Sequence, residues 1–164
     1  MKFINKLLFA LLTVVSLGAL ADGGNKYNGE NRGKPVMPAQ VNAKWQQECA
    51  SCHMAFPPGL LPAASWTKMM GGLDMHFGVD ASITPAETTE ITNFLTKNAS
   101  NRWTANTAPL RITESAWFKA KHNSREVAPD VWKRAAIKSP SNCVACHKDA
   151  DKGDFSESNI RIPK

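Results

Sequence analysis

The longest apolar run of the sequence lies near its N-terminus, at residues 7–20 (LLFALLTVVSLGAL). Two lysines precede it, and a small-x-small triplet, Ala-Leu-Ala, ends at Ala21. This order of basic, apolar and small residues is typical of a secretory signal peptide, and the run is short for a membrane span. We therefore expect residues 1–21 to be a signal peptide cleaved after Ala21, with an uncleaved membrane anchor as the alternative. No second apolar run follows, so we expect a periplasmic protein without stable membrane insertion.

The rest of the chain alternates short helical patterns with turns that contain Pro or Gly. The clearest helix starts at Thr84, because this capping residue is followed by Pro at the first helical position and by Glu three residues after the cap. That helix is expected to end near Asn98. No strand pattern is convincing, so we predict an all-α fold. Further helices are expected from near Val41 into the region of Cys49, around Trp66, from an N-cap at Thr113 to His122, and over residues 131–137.

The four cysteines occur in two copies of one pattern, C-x-x-C-H, which is the spacing of c-type haem attachment. On a helical turn, residues i and i+3 face the same side, so two thiols can reach two vinyl groups along one porphyrin edge. The histidine that follows can then ligate the iron. We predict two covalently bound haem c groups, with the cysteines as thioether links and the two histidines as proximal iron ligands: Cys49, Cys52 and His53 for the first haem, Cys143, Cys146 and His147 for the second.

Other interpretations of the cysteines account for less of the pattern. Two disulfides are common in exported proteins but do not explain why His follows each pair. A thioredoxin-like C-x-x-C needs a βαβ context, and a four-Cys zinc site usually has its pairs about 15–20 residues apart. Here Cys52 and Cys143 are 91 positions apart. The haem interpretation is therefore favoured.

Two histidines, His76 and His122, remain for the second axial positions of the two irons. At helical spacing His76 shares an apolar face with Trp66, and His122 lies four residues after Phe118. A buried imidazole without a partner is costly, and iron is a suitable partner. We predict His76 and His122 to be the distal ligands; which of them serves which iron stays open.

Methionine is the competing distal ligand, because His/Met ligation is common in small cytochromes c and raises the potential. Met54 directly follows a proximal histidine and cannot easily reach the opposite face of the haem, and Met37 lies in a Pro-containing segment. Met69, Met70 and Met75 stay open as ligands of one haem. Otherwise we expect them to fill apolar space.

The composition of the chain after the predicted signal peptide separates a leader from a folded domain. Residues 22–40 hold four Gly and two Pro and little apolar content, which is typical of a flexible or loosely docked leader. We expect one dihaem domain at 41–164, with the first haem in about 41–100 and the second in about 101–164.

Charge is distributed unevenly along the chain. Residues 22–100 carry 6 Lys/Arg and 7 Asp/Glu, whereas residues 101–164 carry 12 and 7. A basic face on the second half can steer an acidic partner, although the lysines can equally serve only to solvate the surface. Nucleic acid is not expected as a partner of an exported protein.

The sequence resembles the small periplasmic dihaem cytochrome c family whose members donate electrons to an oxygen-binding monohaem cytochrome. The resemblance implies a cytochrome c-like fold of short helices around two haems, bis-His ligation with His76 and His122 distal, and electron delivery to a partner cytochrome. It also implies a membrane b-type cytochrome upstream. The likeness covers about residues 45–155 and rests on these stretches: CASCHMAFPPGLLPAASW (49–66), LDMHFGVDASI (73–83), RITESAWFKAKH (111–122) and NCVACHKDADKGDF (142–155).

An electron carrier without enzymatic activity is the favoured function, because two six-coordinate irons leave no open position for a substrate. Histidine rather than methionine on both irons favours low potentials. One alternative is the dihaem electron-transfer subunit of a periplasmic oxidoreductase such as nitrate reductase. Another is a dihaem peroxidase or nitrogen-oxide reductase with one open iron, which the number of histidines disfavours.

Overall fold

The structure, a computed structural model, describes residues 35–101 and 109–164, and these ranges belong to one compact unit. The predicted signal peptide and residues 22–34 of the predicted leader lie outside the described residues. In what is described, four α-helices alternate with short 3₁₀ turns, and β pairing is limited to isolated bridges. The prediction of an all-α fold is confirmed. None of the helices in the described ranges is long and apolar enough to span a bilayer.

Helices α1 and α3 begin at capping residues. Helix α1 (Ala43–Cys49) starts after Asn42, whose side chain accepts a hydrogen bond from the Trp45 amide at 2.7 Å. Helix α3 (Pro85–Lys97) has the predicted capping box. Thr84 Oγ1 accepts from the Glu87 amide at 3.3 Å, and the Glu87 carboxylate accepts from the Thr84 amide at 3.1 Å. Each cap satisfies amides that the first helical turn leaves without partners.

Helix α2 (Ala63–Met70) is shorter than the apolar stripe around Trp66 suggested. It ends at Gly71, and a 3₁₀ turn at Leu73–Met75 follows. Phe77 and Gly78 then have positive φ angles of 51° and 96°, which redirect the chain. His76 therefore lies on a turn after the helix rather than on a helical face, because the Gly pair ends the helix before it.

Helices α1, α2 and α3 pack around one apolar core. The Trp66 indole donates to the carbonyl of Pro58 at 2.8 Å, so its only polar group is satisfied inside that core. The amide of Ser100 donates to the carbonyl of Leu61 at 2.9 Å and ties the end of α3 to the segment before α2. The buried members of the core are Trp45, Ala55, Leu61, Trp66, Met70, Ile91, Leu95 and Ala99.

The C-terminal half, residues 109–164, is built mainly of turns, and α4 (Ala116–Lys121) is the one α-helix described in it. Its N-cap is Ser115, whose hydroxyl accepts from the Phe118 amide at 3.1 Å. The predicted cap at Thr113 is wrong, because that residue lies inside a 3₁₀ turn at Ile112–Glu114. Thr113 and Ser115 are both capping residue types, and the helix starts at the second.

The helix predicted over residues 131–137 is also wrong. A 3₁₀ turn at Val131–Lys133 is present instead, since Arg134 is extended with ψ of 139°. Lys138 has a positive φ of 64°, which no α-helix contains. The remaining 3₁₀ turns of the molecule lie at Pro58–Leu60, Cys143–Ala145, Ala150–Lys152 and Glu157–Asn159.

The last residues of the predicted leader contact both halves of the unit. The carbonyl of Val36 accepts a hydrogen bond from Gly59 at 2.9 Å. Met37 packs against the core of the N-terminal half, and Gly153, at φ of 83°, approaches it from the C-terminal half. A Cβ on Gly153 would lie 2.6 Å from the Met37 Cβ, so only glycine fits there.

Candidate functional site

The first motif follows directly from α1. Cys49 is the last residue of the helix, and Cys52 and His53 lie on the turn after it. His53 Nδ1 lies 2.7 Å from the carbonyl oxygen of Met54, which leaves its Nε2 available to a metal. Its ring centre is 4.9 Å from that of Phe56 and 6.2 Å from that of His76, whose ring plane is inclined by 28° to its own.

His76 is held opposite His53 by the turn that follows α2. Its carbonyl accepts from the Val79 amide at 3.1 Å, and Leu73 accepts from the Ala81 amide at 2.8 Å. The ring meets Phe77 edge-on at 4.8 Å. Burial, more than the nearby positive charge, lowers the pKa of His76, so its imidazole is neutral at neutral pH. Neutral imidazole is the form that binds metals.

The second motif lies on a 3₁₀ turn at Cys143–Ala145. The carbonyl of Cys143 accepts from the amide of Cys146 at 3.2 Å and from that of His147 at 2.8 Å, which brings the two cysteines and the histidine onto one turn. The ring centre of His147 is 5.4 Å from that of Phe155 and 6.1 Å from that of His122. The two imidazole planes are inclined by 68°.

His122 is the C-cap of α4. Its amide donates to the carbonyl of Phe118 at 2.9 Å, and its Nδ1 lies 3.0 Å from the same oxygen. The rings of Phe118 and His122 stack at 4.0 Å with an inclination of 12°. The predicted placement of these two residues on one helical face is therefore confirmed. Together with Trp132 they line a cavity of about 460 Å³.

The spacing of the two imidazole pairs can be tested against an iron between them. A metal–imidazole nitrogen bond is about 2 Å long and the ring centre lies roughly 1 Å behind that nitrogen, so two imidazoles on one metal have centres about 6 Å apart. The observed separations are 6.2 Å for His53 and His76 and 6.1 Å for His122 and His147. Both separations are compatible with a shared iron, with His76 beside His53 and His122 beside His147.

A family model described as dihaem cytochrome c matches residues 45–155. The chain belongs to this family. As a dihaem cytochrome c, it carries two covalently bound haem c groups and is an electron-transfer protein. This agrees with the two attachment motifs and with the four histidines that the fold brings together in pairs.

Solved dihaem cytochromes c are similar to the chain along most of their length. One from Rhodobacter sphaeroides is 40% identical, with a TM-score of 0.65, and the match covers 74% of this chain and 99% of that one. A second structure, of the protein purified from that organism, is 44% identical over 71% and 98% of the two chains, with a TM-score of 0.61. A third, from Shewanella baltica, is 37% identical over 74% and 93%, with a TM-score of 0.66. Among curated proteins no match was found.

The cysteines of this dihaem cytochrome are all in described residues, and none forms a disulfide. Burial raises the pKa of Cys49 to about 11 and that of Cys143 to about 11. Before haem attachment, both thiols are therefore neutral at neutral pH, which disfavours disulfide formation because the thiolate is the reactive form. Within the described ranges, no group of three or more His, Cys, Asp or Glu side chains is arranged to hold a metal ion, so a four-Cys zinc site is not formed.

The methionines that the sequence left open as ligands lie elsewhere. Met70 is buried in the apolar core, and Met69 packs against it. Met75 is 71% exposed. The position opposite His53 is occupied by His76 rather than by any of these three side chains.

The aromatic side chains near the four histidines and in the core differ in how far they are buried. Trp45, Trp66 and Phe118 are buried, whereas Phe77 is 45% exposed. Trp117 and Trp132 are half-buried. The ring contact between Phe56 and His53 was not predicted, although the three-residue spacing between them was a usable signal.

Proposed function

We propose that this dihaem cytochrome c is a periplasmic electron carrier in which each iron is bound by two histidines. His53 and His76 would hold the first iron, and His147 and His122 the second. The adjacent pairs Cys49/Cys52 and Cys143/Cys146 would bear the thioether links. The observation that carries the proposal is the ring separation of 6.2 and 6.1 Å in two independent pairs, which is what one shared metal requires.

Backbone carbonyls support this role of the histidines. When Nδ1 of His53 donates to the carbonyl of Met54, and Nδ1 of His122 donates to that of Phe118, each ring has its Nε2 lone pair free for iron. Such outer contacts fix the tautomer and the orientation of a ligating imidazole. Each haem, when bound, takes up and releases one electron at its iron.

Two imidazoles on each iron would leave no coordination position for a substrate, so we propose a carrier rather than an enzyme. Histidine on both sides also favours low reduction potentials, since a methionine ligand raises them. An exported location is supported by the signal-like N-terminus of the sequence.

The partner we propose is another redox protein, such as a cytochrome, with an acidic surface near its own cofactor. Lys119 lines the cavity that contains His122, and further exposed cations lie on the same half of the protein. Such a field speeds the encounter with an acidic partner and weakens with salt. In this half, the exposed cations that make no ion pair with a described residue are Lys119, Arg125, Lys133, Lys138, Lys148, Arg161 and Lys164.

Low-temperature electron paramagnetic resonance (EPR) of the oxidised holoprotein tests the ligation. Two low-spin ferric signals of equal intensity are expected. A high-spin signal of one haem equivalent, or a methionine-type charge-transfer band in the absorption spectrum, would contradict bis-His ligation. Peroxide turnover with a reduced donor would contradict the absence of enzymatic activity. The mass of the purified periplasmic protein should equal residues 22–164 plus two haems.

A further inference from the structure

The two imidazole pairs have the same separation but different ring orientations. The planes of His53 and His76 are inclined by 28°, so this pair is close to parallel. The planes of His122 and His147 are inclined by 68°, so this pair is close to crossed. The contacts of His122 explain how such an orientation is held.

Phe118 contacts His122 in two ways at once. Its carbonyl lies 3.0 Å from Nδ1, and its ring stacks on the imidazole at 4.0 Å with an inclination of only 12°. A hydrogen bond alone allows the imidazole to rotate about the bond, whereas the added stacking contact defines the plane. His76 instead meets the ring of the half-exposed Phe77 edge-on.

Phe118 is itself held in place. Its side chain is 9% exposed, and its ring lies 6.4 Å from that of Trp132. Its amide donates to the hydroxyl of the N-cap Ser115 at 3.1 Å. The cap therefore positions Phe118, and Phe118 positions the imidazole four residues later.

Ring orientation matters for a low-spin ferric iron because imidazole donates π density in the direction perpendicular to its plane. Two parallel rings raise the energy of the same iron d orbital and separate it from its neighbour. Two crossed rings raise both orbitals about equally, so the orbitals stay close in energy. A small energy gap between these two d orbitals makes the g tensor of the ferric iron more anisotropic, with a larger maximum g value.

We propose that Phe118 is a positioning residue that holds His122 crossed to His147, and that this makes the second iron a more anisotropic ferric centre than the first. This inference rests on the proposed bis-His ligation. It assigns to Phe118 a role in the electronic structure of one haem in addition to its packing.

EPR of the oxidised full-length holoprotein tests the orientation. We expect two low-spin signals with clearly different maximum g values. His122→Ala should remove the signal with the larger g, and His76→Ala the one with the smaller g. Two low-spin signals that coincide would overturn the crossed arrangement while leaving bis-His ligation intact, whereas a high-spin signal in the unaltered protein would instead contradict the ligation.

Variants of Phe118 test whether this residue sets the orientation of the His122 ring. Phe118→Leu retains apolar bulk but lacks a planar ring, so the larger-g signal should shift toward the smaller-g one and broaden. Phe118→Tyr keeps the planar ring and should therefore retain the larger-g signal of the wild-type protein. Phe94→Leu removes a ring that packs on Trp45 in the other half and should leave the larger-g signal unchanged. The smaller-g signal in each sample serves as an internal reference for folding.

A second variant covers the case in which Phe118→Leu does not retain both haems. Ser115→Ala removes the cap of α4 while keeping the phenyl ring, and it should shift the larger-g signal in the same direction by a smaller amount. If Phe118→Leu keeps both haems, an unchanged larger-g signal in that variant would overturn the role of Phe118. If Phe118→Leu loses a haem, an unchanged larger-g signal in Ser115→Ala would do so.

Discussion

Gly59 and Val36 are joined by a hydrogen bond of 2.9 Å, and their backbones are too close for a side chain at residue 59. A Cβ there would lie 2.6 Å from the Cα of Val36. Gly59→Ala must therefore displace the segment before α1. We expect it to lower the free energy of unfolding by about 1–3 kcal/mol, as overpacking does, in guanidinium denaturation of the holoprotein.

Gly71→Ala provides the matched control for this substitution. At Gly71 a Cβ would come no closer than 3.4 Å to the nearest atom, the carbonyl oxygen of Thr67, and the φ of −80° is accessible to alanine. We expect little change in stability. Equal destabilisation by the two substitutions would show that the contact with Val36 is not the cause.

The capping box of α3 can be tested at Thr84. Thr84→Ala removes the acceptor of the Glu87 amide and should lower the free energy of unfolding by about 1 kcal/mol. Thr89→Ala is the control, because Thr89 lies on an exposed position inside the same helix and its hydroxyl contacts only the carbonyl of Pro85. A loss at Thr89 as large as that at Thr84 would argue against the cap.

The carboxylate of Glu87, in the same helix, makes the free energy of unfolding depend on pH. Hydrogen bonds from Thr84, and then from Lys44, lower the pKa of Glu87 in the folded state. The carboxylate therefore stabilises the fold above its unfolded-state pKa, and this contribution is lost as the pH falls through the lower folded-state pKa. Glu87→Gln should flatten the decline of stability in acid. An identical acid dependence in wild type and variant would contradict this coupling.

Two buried serines should respond in opposite directions to replacement by alanine. The hydroxyl of Ser65 is buried without a hydrogen-bond partner, so Ser65→Ala should raise the free energy of unfolding by about 1 kcal/mol. Ser115 accepts from the Phe118 amide, so Ser115→Ala should lower it by about 1 kcal/mol. Thermal denaturation of the two holoproteins provides the comparison, and a shift of the same sign in both would contradict these assignments.

Carbon monoxide binding measures open iron positions. The reduced wild-type protein should bind none, because both irons are proposed to be six-coordinate. His76→Ala and His122→Ala should each bind roughly one equivalent and the double variant roughly two, by difference spectroscopy. Binding of a full equivalent to the wild-type protein would contradict the proposed ligation.

The excess of exposed cations in the C-terminal half predicts that the rate of reaction with anionic partners falls as the salt concentration rises. Ferricyanide is a suitable probe of this, and Lys119→Glu should slow its reaction with the reduced protein roughly 2- to 5-fold at low ionic strength. Lys68→Glu makes the same charge change on an exposed position of α2 and should slow it less. Equal rates for the two variants, or rates that do not depend on salt, would contradict electrostatic steering to the C-terminal half.

Local sequence signals predicted the parts of the fold that depend on near neighbours. The capping box at Thr84 and the contact between Phe118 and His122 involve residues three or four positions apart, and both were predictable. The cap of α4 was placed two residues early, because Thr113 and Ser115 are equally suitable by type and only packing selects one. The helix predicted after Asp130 is absent, since Arg134 is extended and helical spacing of apolar residues does not exclude that conformation.

The candidate site was predictable in composition but not in arrangement. The attachment motifs and the number of histidines indicated the chemistry. The pairing of His53 with His76 depends on how the chain turns after α2, and no short-range signal contains that information. The same is true of the ring planes, which depend on side-chain contacts such as the stacking of Phe118 on His122.

The contrast between the two halves has a consequence for biogenesis. The N-terminal half has a core of eight buried residues, whereas Phe118, Val131, Ile137 and Ala150 are the buried apolar side chains described in the C-terminal half. A porphyrin is large enough to supply the apolar interior that the described residues of this half do not form. Cofactor insertion is then also a folding step, and a chain that misses its second haem would present a protease-sensitive C-terminal region. Degradation of such chains would act as quality control on haem loading.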